Sequence, residues 1–330
     1  MAIIMRDSTQ ALKKSIVNKS MPKAKTAAYK KSLWDRIVQH KYLYMLLLPI
    51  IVYFIIFKYL PMAGLNIAFK DFRLADGLFA GKWVGFKHFN RLFSSSDFYM
   101  ILRNTLLLNV YGIIFSFPVP IILAIMLNEI RVLKFKKVIQ SVLYVPHFIS
   151  WVVLGGIVIS LLSPSTGIIN IALSKIGITP IFFLKSPFWW TVSYIVSGIW
   201  QSAGWGTIIY IAAITSIDPQ IYESAMIDGA GKMRQIWHIT LPGIRGTIAI
   251  MLILKMGHML DVGFEQVYIL QNDAVRSVSE VFSTFEYRIG LQGAQYSFTT
   301  ALGLFKGVVG LILITTTNKV VKSLGSEGIW

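Results

Sequence analysis

YESAMIDGAGKMRQIWHITLP, residues Tyr222 to Pro242, is a polar stretch of mixed charge set between two long apolar segments. Its residues spell two short helices joined by a tight turn. Just upstream, Asp218-Pro219 supplies an N-cap side chain and a first-turn proline, which satisfy or remove orphan amide donors. Asp228-Gly229 supplies turn chemistry, because glycine accepts backbone angles that other residues resist. A second amphipathic piece runs to His238, and Leu241-Pro242 ends it before the next apolar segment.

Working outward, the chain of 330 residues is 55% hydrophobic with a mean hydropathy of +0.63, richer in apolar residues than soluble domains. A bilayer-crossing helix needs about 20 apolar residues. Six segments qualify, at about 42–65, 104–127, 139–163, 189–214, 246–264 and 300–319. The expected fold is an all-α membrane protein with six transmembrane helices. Residues 1–41, with ten Lys or Arg against two Asp, read as a basic cytoplasmic tail. Within it, Leu33, Trp34, Ile37 and Val38 at helical spacing predict an interfacial helix over 31–40. Residues 320–330 read as a cytoplasmic C-terminus.

Charge orients these spans. With both termini inside, the cytoplasmic segments hold roughly twice the Lys and Arg of the external ones, whereas acidic residues split evenly. The loop 215–245 between the fourth and fifth spans is then cytoplasmic. The net charge of +17 flanks apolar spans instead of forming a stripe interleaved with aromatics, which suits anionic lipid and not nucleic acid. The chain has no cysteine, which excludes disulfides, thiolate metal sites and cysteine nucleophiles. The first apolar run begins near Tyr42 and is long enough to span, so no cleavable signal peptide is expected.

Catalytic groups do not converge. Gly229-Ala230-Gly231-Lys232 falls short of a phosphate loop, because Met226 stands where its first glycine belongs and Met233 where its hydroxyl belongs. His40, His88, His147, His238 and His258 are scattered without a zinc pattern. The ionisable residues within spans are more informative, since charge at bilayer depth usually faces a bundle interior or a water-filled path. Lys255, His258 and Asp261 recur every third residue, which on a continuous helix spreads them over roughly 120° of one face. Two readings stand: they line a solute path, or Lys255 and Asp261 form an internal pair bridged by His258. Lys58, Arg103 and Lys306 lie near span ends and read as snorkelling to water. Trp200, Gln201 and Trp205, with flat faces and polar tips, and Asn109 are further candidates for a substrate path. Trp189 and Trp190 read as packing or lipid contacts.

The Tyr222–Pro242 stretch resembles the E-A-A-x3-G-x9-I-x-L-P signature of permease subunits in type I binding-protein-dependent ABC importers. Glu223, Ala225, Gly229, Ile239, Leu241 and Pro242 match at the required spacing, with Ser224 in place of the first alanine. Trp83 to Phe89 (WVGFKHF), then Phe98 and Asn104-Thr105-Leu106, resemble a run in sugar permeases of that superfamily, with His88 where Asn is usual. Trp200 to Gly206 (WQSAGWG), Val262 to Gln266 (VGFEQ) and the terminal Gly328-Ile329-Trp330 look like the complex-carbohydrate, LplB-type branch.

The resemblance implies an ATP-driven importer of an oligosaccharide, acidic or neutral, in a bacterial cytoplasmic membrane of Gram-positive type. It implies a second permease subunit, two ATP-binding subunits that carry ATP and magnesium, and an extracytoplasmic solute-binding protein. This chain itself would hold no cofactor and no catalytic residue. Residues 221–232 would form the coupling helix, with Glu223 offering charge, Ser224 and Ala225 permitting close approach, Ile227 and Asp228 completing the contact, and Gly229 setting the turn. An ion-coupled secondary sugar transporter, using the charged residues of the fifth span, is the alternative.

Overall fold

The computed structural model describes residues 38–77, 81–323, Gly325 and Gly328. The tail, most of the predicted interfacial helix and Ile329-Trp330 lie outside the described residues. The chain divides into two units, one ending at Ala63 and the other starting at Gly64. In the first, α1 (Lys41–Phe54) continues through a π turn at Ile55–Tyr59. Its sequence is apolar around the whole circumference, a pattern that lipid can solvate on every side.

The second unit opens with a two-stranded hairpin, β1 (Lys70–Asp71) against antiparallel β2 (Lys82–Trp83). Then follow α2 (Lys87–Phe93), α3 (Ser96–Tyr111) and α4 (Pro118–Glu129). A π turn at Gly112–Ser116 joins α3 to α4, so Pro118 and Pro120 fall in a first turn, where a missing amide donor costs little. α5 (Leu133–Tyr144) and α6 (Trp151–Leu162) come next, then α7 (Ile168–Lys175) and the long α8 (Pro187–Thr215). The Tyr222 stretch contributes α9 (Pro219–Ile227) and α10 (Lys232–Gln235). The chain closes with α11 (Arg245–Gly257), α12 (Phe264–Leu270) and α13 (Tyr296–Ser323).

Among the described residues, three helical runs are long and apolar enough to cross a membrane: Lys41–Phe69, Ser96–Glu129 and Tyr296–Ser323. Two further pairs of helices are long and apolar enough only when taken together, and each pair is sharply bent. Leu133–Phe148 meets Trp151–Leu162 at 103°, where a continuous helix over 139–163 was expected, and Lys232–Gly243 meets Arg245–Gly257 at 58°. α8 has 29 residues, enough for about 43 Å of helix, but its Trp, Tyr, Ser and Gly dilute its hydropathy. The fifth predicted span, 246–264, is also corrected: its helix stops at Gly257 and restarts at Phe264.

α8 is the packing axis, lying against α3, α4, α5, α11 and α12. Small residues make that possible. Gly204 sits under the Leu143 carbonyl of α5, where a Cβ would collide, and a Cβ at Gly206 would lie 3.0 Å from the Pro120 ring of α4. One core cluster gathers Leu108, Leu154, Trp190, Val267 and Leu270, and the buried Trp190 indole donates to the Leu270 carbonyl at 2.9 Å. A second cluster is aromatic, with Phe98, Phe282, Phe285 and Phe298. A third, at the α9 end of α8, holds Ile121, Ala124, Tyr210, Ile214 and Ile244.

The polar residues of the first family-like run are structural. The buried His88 Nε2 lies 3.1 Å from the Lys70 carbonyl and 3.1 Å from Asp71 Oδ1, pinning α2 to the hairpin. Lys87 donates to Asp71 at 2.7 Å and holds that carboxyl below the usual carboxylate range. Asn104 Nδ2 donates to the Ser277 and Glu280 carbonyls, and Thr105 Oγ1 accepts from the Phe282 amide. Gly204→Val is expected to destabilise the fold by about 1–3 kcal/mol through overpacking. Gly246→Ala, where an added Cβ meets nothing within 4 Å, is the control. Equal melting temperatures for the two variants in detergent would remove the close-packing account.

Candidate functional site: a helical loop and a polar cavity

The loop is built as its residues require. Asp218 Oδ1 accepts from the Gln220 amide at 2.9 Å and caps α9, with Pro219 in the first turn. Gly229 has φ +78°, the left-handed conformation that ends the helix, and the Ala230 amide returns to the Ala225 carbonyl at 2.8 Å. Gln235 Nε2, from the start of the second helix, donates to the Ala230 carbonyl at 2.8 Å, which fixes the turn from the far side. Tyr222 and Thr240 hydroxyls lie 2.9 Å apart and tie α9 to the second helix. Lys232 bridges to Glu129 at the end of α4, 2.8 Å.

What remains uncovered on this loop is an apolar surface beside an acid. Ile227 is 87% exposed, with Ile221, Met226, Met233 and Trp237 also exposed. Glu223, Ser224 and Asp228 are exposed, and Glu223 has no ion-pair partner among the described residues. Ser224 donates back to the Gln220 carbonyl and so stays inside the helix outline. Ile239 and Leu241 are half-buried, and Leu241 joins the third core cluster, while Pro242 is exposed next to the 58° bend. Exposed apolar side chains around a free charge form a surface suited to a protein partner.

The second feature is a cavity of about 250 Å³ whose lining includes Asn109, Gly112, Gln201, Lys255, Asp261 and Gln266. Four of the expected path residues, Asn109, Gln201, Lys255 and Asp261, thus meet from α3, α8 and the end of α11. The helix break between Gly257 and Phe264 brings them together. Its loosened carbonyls are answered by side chains: Asn109 Nδ2 donates to Met259 O at 2.9 Å, and Ser283 Oγ to Val262 O at 3.0 Å. Gln266 donates to the Tyr194 carbonyl at 2.6 Å and to Ser197 Oγ at 3.2 Å. Lys255, by contrast, is exposed to the cavity, and among the described residues no hydrogen bond or ion pair involves its ammonium.

Other expectations need correction. Lys255, His258 and Asp261 do not share one helical face, because the chain turns at His258, with the Asp261 amide on the His258 carbonyl at 2.8 Å. Asp261 pairs not with Lys255 but with Lys306, at 3.5 Å, and Lys306 also reaches Glu286 at 3.2 Å. Lys306 therefore does not snorkel, and Arg103 donates to the Ser277 carbonyl at 2.8 Å. His258 borders a different cavity. Trp200 lines an apolar pocket with Val158, Phe183 and Val196. Trp205 stacks on His147, centroids 4.7 Å apart and planes within 4°.

The sequence reading also missed a buried acid. Glu280, 3% exposed, is clamped by Arg276 at 2.6 Å and Arg288 at 2.8 Å. The four-residue spacing of Arg276 and Glu280 was its only local signal.

Comparison with known proteins places this architecture. No family model matches. The polygalacturonan/rhamnogalacturonan transport system permease protein YteP of Bacillus subtilis (strain 168) is 48% identical over 301 residues, covering 91% of this chain and 94% of that one. Protein LplB of the same organism is 45% identical over 290 residues, covering 88% and 91%. In a crystal structure of a bacterial alginate ABC transporter, in complex with alginate pentasaccharide-bound periplasmic protein, one chain is 43% identical. It superposes with a TM-score of 0.83 over 90% of this chain and 99% of that one. With relatives this close over nearly their full length, the chain belongs to the permease subunits of sugar ABC transporters.

Proposed function

We propose that this chain is one half of the translocation pathway of an ATP-driven importer that moves an acidic oligosaccharide across a Gram-positive cytoplasmic membrane. The observation that carries the substrate class is the Lys255 ammonium, unpaired in a polar cavity beside Asn109 and Gln201. An uncompensated cation at this depth is costly unless a solute supplies the anion. The relatives agree in kind: one is named for polygalacturonan/rhamnogalacturonan, and a further solved structure belongs to an importer of the acidic polysaccharide alginate. In this reading Lys255 binds a sugar carboxylate, Asn109 Oδ1 and Gln201 bind hydroxyls, and Asp261, held by Lys306, orders the cavity's outer edge.

The rest of the assignment follows from the loop. Six spans with both termini inside put residues 221–232 in the cytoplasm, where an ATP-binding subunit receives Glu223 and the apolar surface around Ile227 in a groove. A second permease subunit completes the path, two ATP-binding subunits hold ATP and magnesium, and an extracytoplasmic binding protein delivers the sugar. ATP shifts such a transporter between inward- and outward-facing states only by its differential affinity for them. The α9–α10 loop, continuous with the helix that leads to Lys255, carries that difference inward.

Purification from native membranes under mild detergent is expected to bring down a second permease and an ATPase; a chain that emerges alone would remove the importer assignment. Gly229→Pro and Glu223→Lys are expected to leave the protein in the membrane and to abolish ATP-dependent uptake, and normal uptake in both would remove the coupling role. Lys255→Met should reduce kcat/KM for oligogalacturonate by 10-fold or more, about 1.5–3 kcal/mol for a hydrogen bond to a charged group. Equal loss for a neutral oligosaccharide would assign Lys255 to structure instead.

A further inference from the structure

The largest cavity described lies outside the one just assigned. It is an open groove of about 560 Å³ between α12, the segment after Phe282 and the first turns of α13, and its wall includes Phe264, Glu286, Tyr287, Tyr296, Thr299 and Thr300. Three rings brace one side: Phe264 stacks on Tyr268 at 5.0 Å and 21°, and Tyr287 packs against both, at 5.2 and 5.3 Å. Tyr296 closes the other side, held by Phe72 at 6.1 Å.

The groove's Thr and Glu side chains present acceptors, beside the hydroxyls of Tyr287 and Tyr296. Thr299 and Thr300 hydroxyls donate to backbone carbonyls of α13 and its lead-in, at 3.1 and 2.7 Å, which leaves their oxygens as acceptors. Glu286 accepts from Lys306 at 3.2 Å and keeps further lone pairs. Flat apolar ring faces bordered by acceptors complement a molecule with an apolar face and a rim of hydroxyl donors, which describes a pyranose ring.

This cavity is also linked to the first. Asp261 borders both the inner polar cavity and the neighbouring one along α13, and Gly303 borders that neighbour and the aromatic cavity. The three spaces are thus linked through shared wall residues, and the outer two both border α13.

We propose that the aromatic cavity at the start of α13 is an outer sugar-binding subsite, in which Phe264, Tyr287 and Tyr296 stack on a ring of the oligosaccharide before it passes to the Lys255 cavity. This rests on the translocation reading above. The division of labour differs between the two sites: the outer one holds a ring by its face and hydroxyls, and the inner one holds its carboxylate.

This chain has no native cysteine, so a label found on it reports the introduced one. In the complete transporter in membrane vesicles, Thr300→Cys should react with a membrane-impermeant maleimide, and oligogalacturonate delivered by the binding protein should slow that reaction by five-fold or more. Tyr287→Ala should raise the half-saturating concentration for uptake about 10-fold with a smaller change in kcat, and Tyr287→Phe, which keeps the ring, should return it to near two-fold of wild type. A cysteine that reacts only when the chain is freed from its partners, or protection that is independent of sugar, would give the cavity to a subunit contact or to lipid and overturn the proposal. So would unchanged half-saturation in Tyr287→Ala while the wild-type complex transports. A wild-type complex that moves neither oligogalacturonate nor a neutral oligosaccharide would overturn the transport reading itself, and the subsite with it.

Discussion

A helix that stops within an apolar segment must find partners for the carbonyls it releases, because lipid offers none. In this permease the stop is at Gly257, and the answers come from Asn109 on α3 and Ser283 near the far end of the chain. The arrangement of the interior cavities depends on this settlement. The break turns Lys255 and Asp261 into one cavity wall, sends Phe264 toward another, and lets α12 pack on α6. A continuous helix would satisfy its own backbone and carry His258 and Asp261 past the cavity.

The same economy explains why the ionisable groups divide into two kinds. Glu280, Glu286, Asp261 and Lys306 each have an ion-pair partner within the chain. Lys255 has none among the described residues, and it stands beside amides whose donors are already partly spent on the backbone, as with Asn109. In the proposed solute site, Lys255 is then the charge left for a solute anion to meet. Neighbouring fixed dipoles need not reorganise when the charge is met.

The loop was the most legible part of the sequence, because its determinants are local. Asp218, Pro219 and Gly229 act within a few residues of themselves, and each does what its chemistry prescribes. The interior was legible only in composition. Asn109, Gln201, Lys255 and Asp261 could be picked out as polar residues in apolar surroundings, but their arrangement could not, since helical periodicity assumes a helix that here ends. Gly257 and Gly263 bracket the break, yet neither residue type by itself separates a break from a packing contact. The tryptophans show the converse limit. Trp200 and Trp205 have the right shape for sugar stacking and were spent on an apolar pocket and on His147, pairings set by residues tens of positions away. The Glu286–Lys306–Asp261 cluster joins residues 20 and 45 apart in sequence, and no spacing rule reaches that far.

The bridge between Lys232 and Glu129 fastens the turn after α9 to the end of α4. Both side chains are well exposed, so its worth is at most about 1 kcal/mol. A link that weak does not weld the two elements, yet it biases their resting geometry, much as a detent holds a lever until it is pushed. The loop therefore has two outputs of unequal stiffness: the covalent one into α11, which always follows it, and the electrostatic one into α4, which releases above a modest load. If the loop drives transport as proposed, its motion would then pass fully into α11 and only in part into α4.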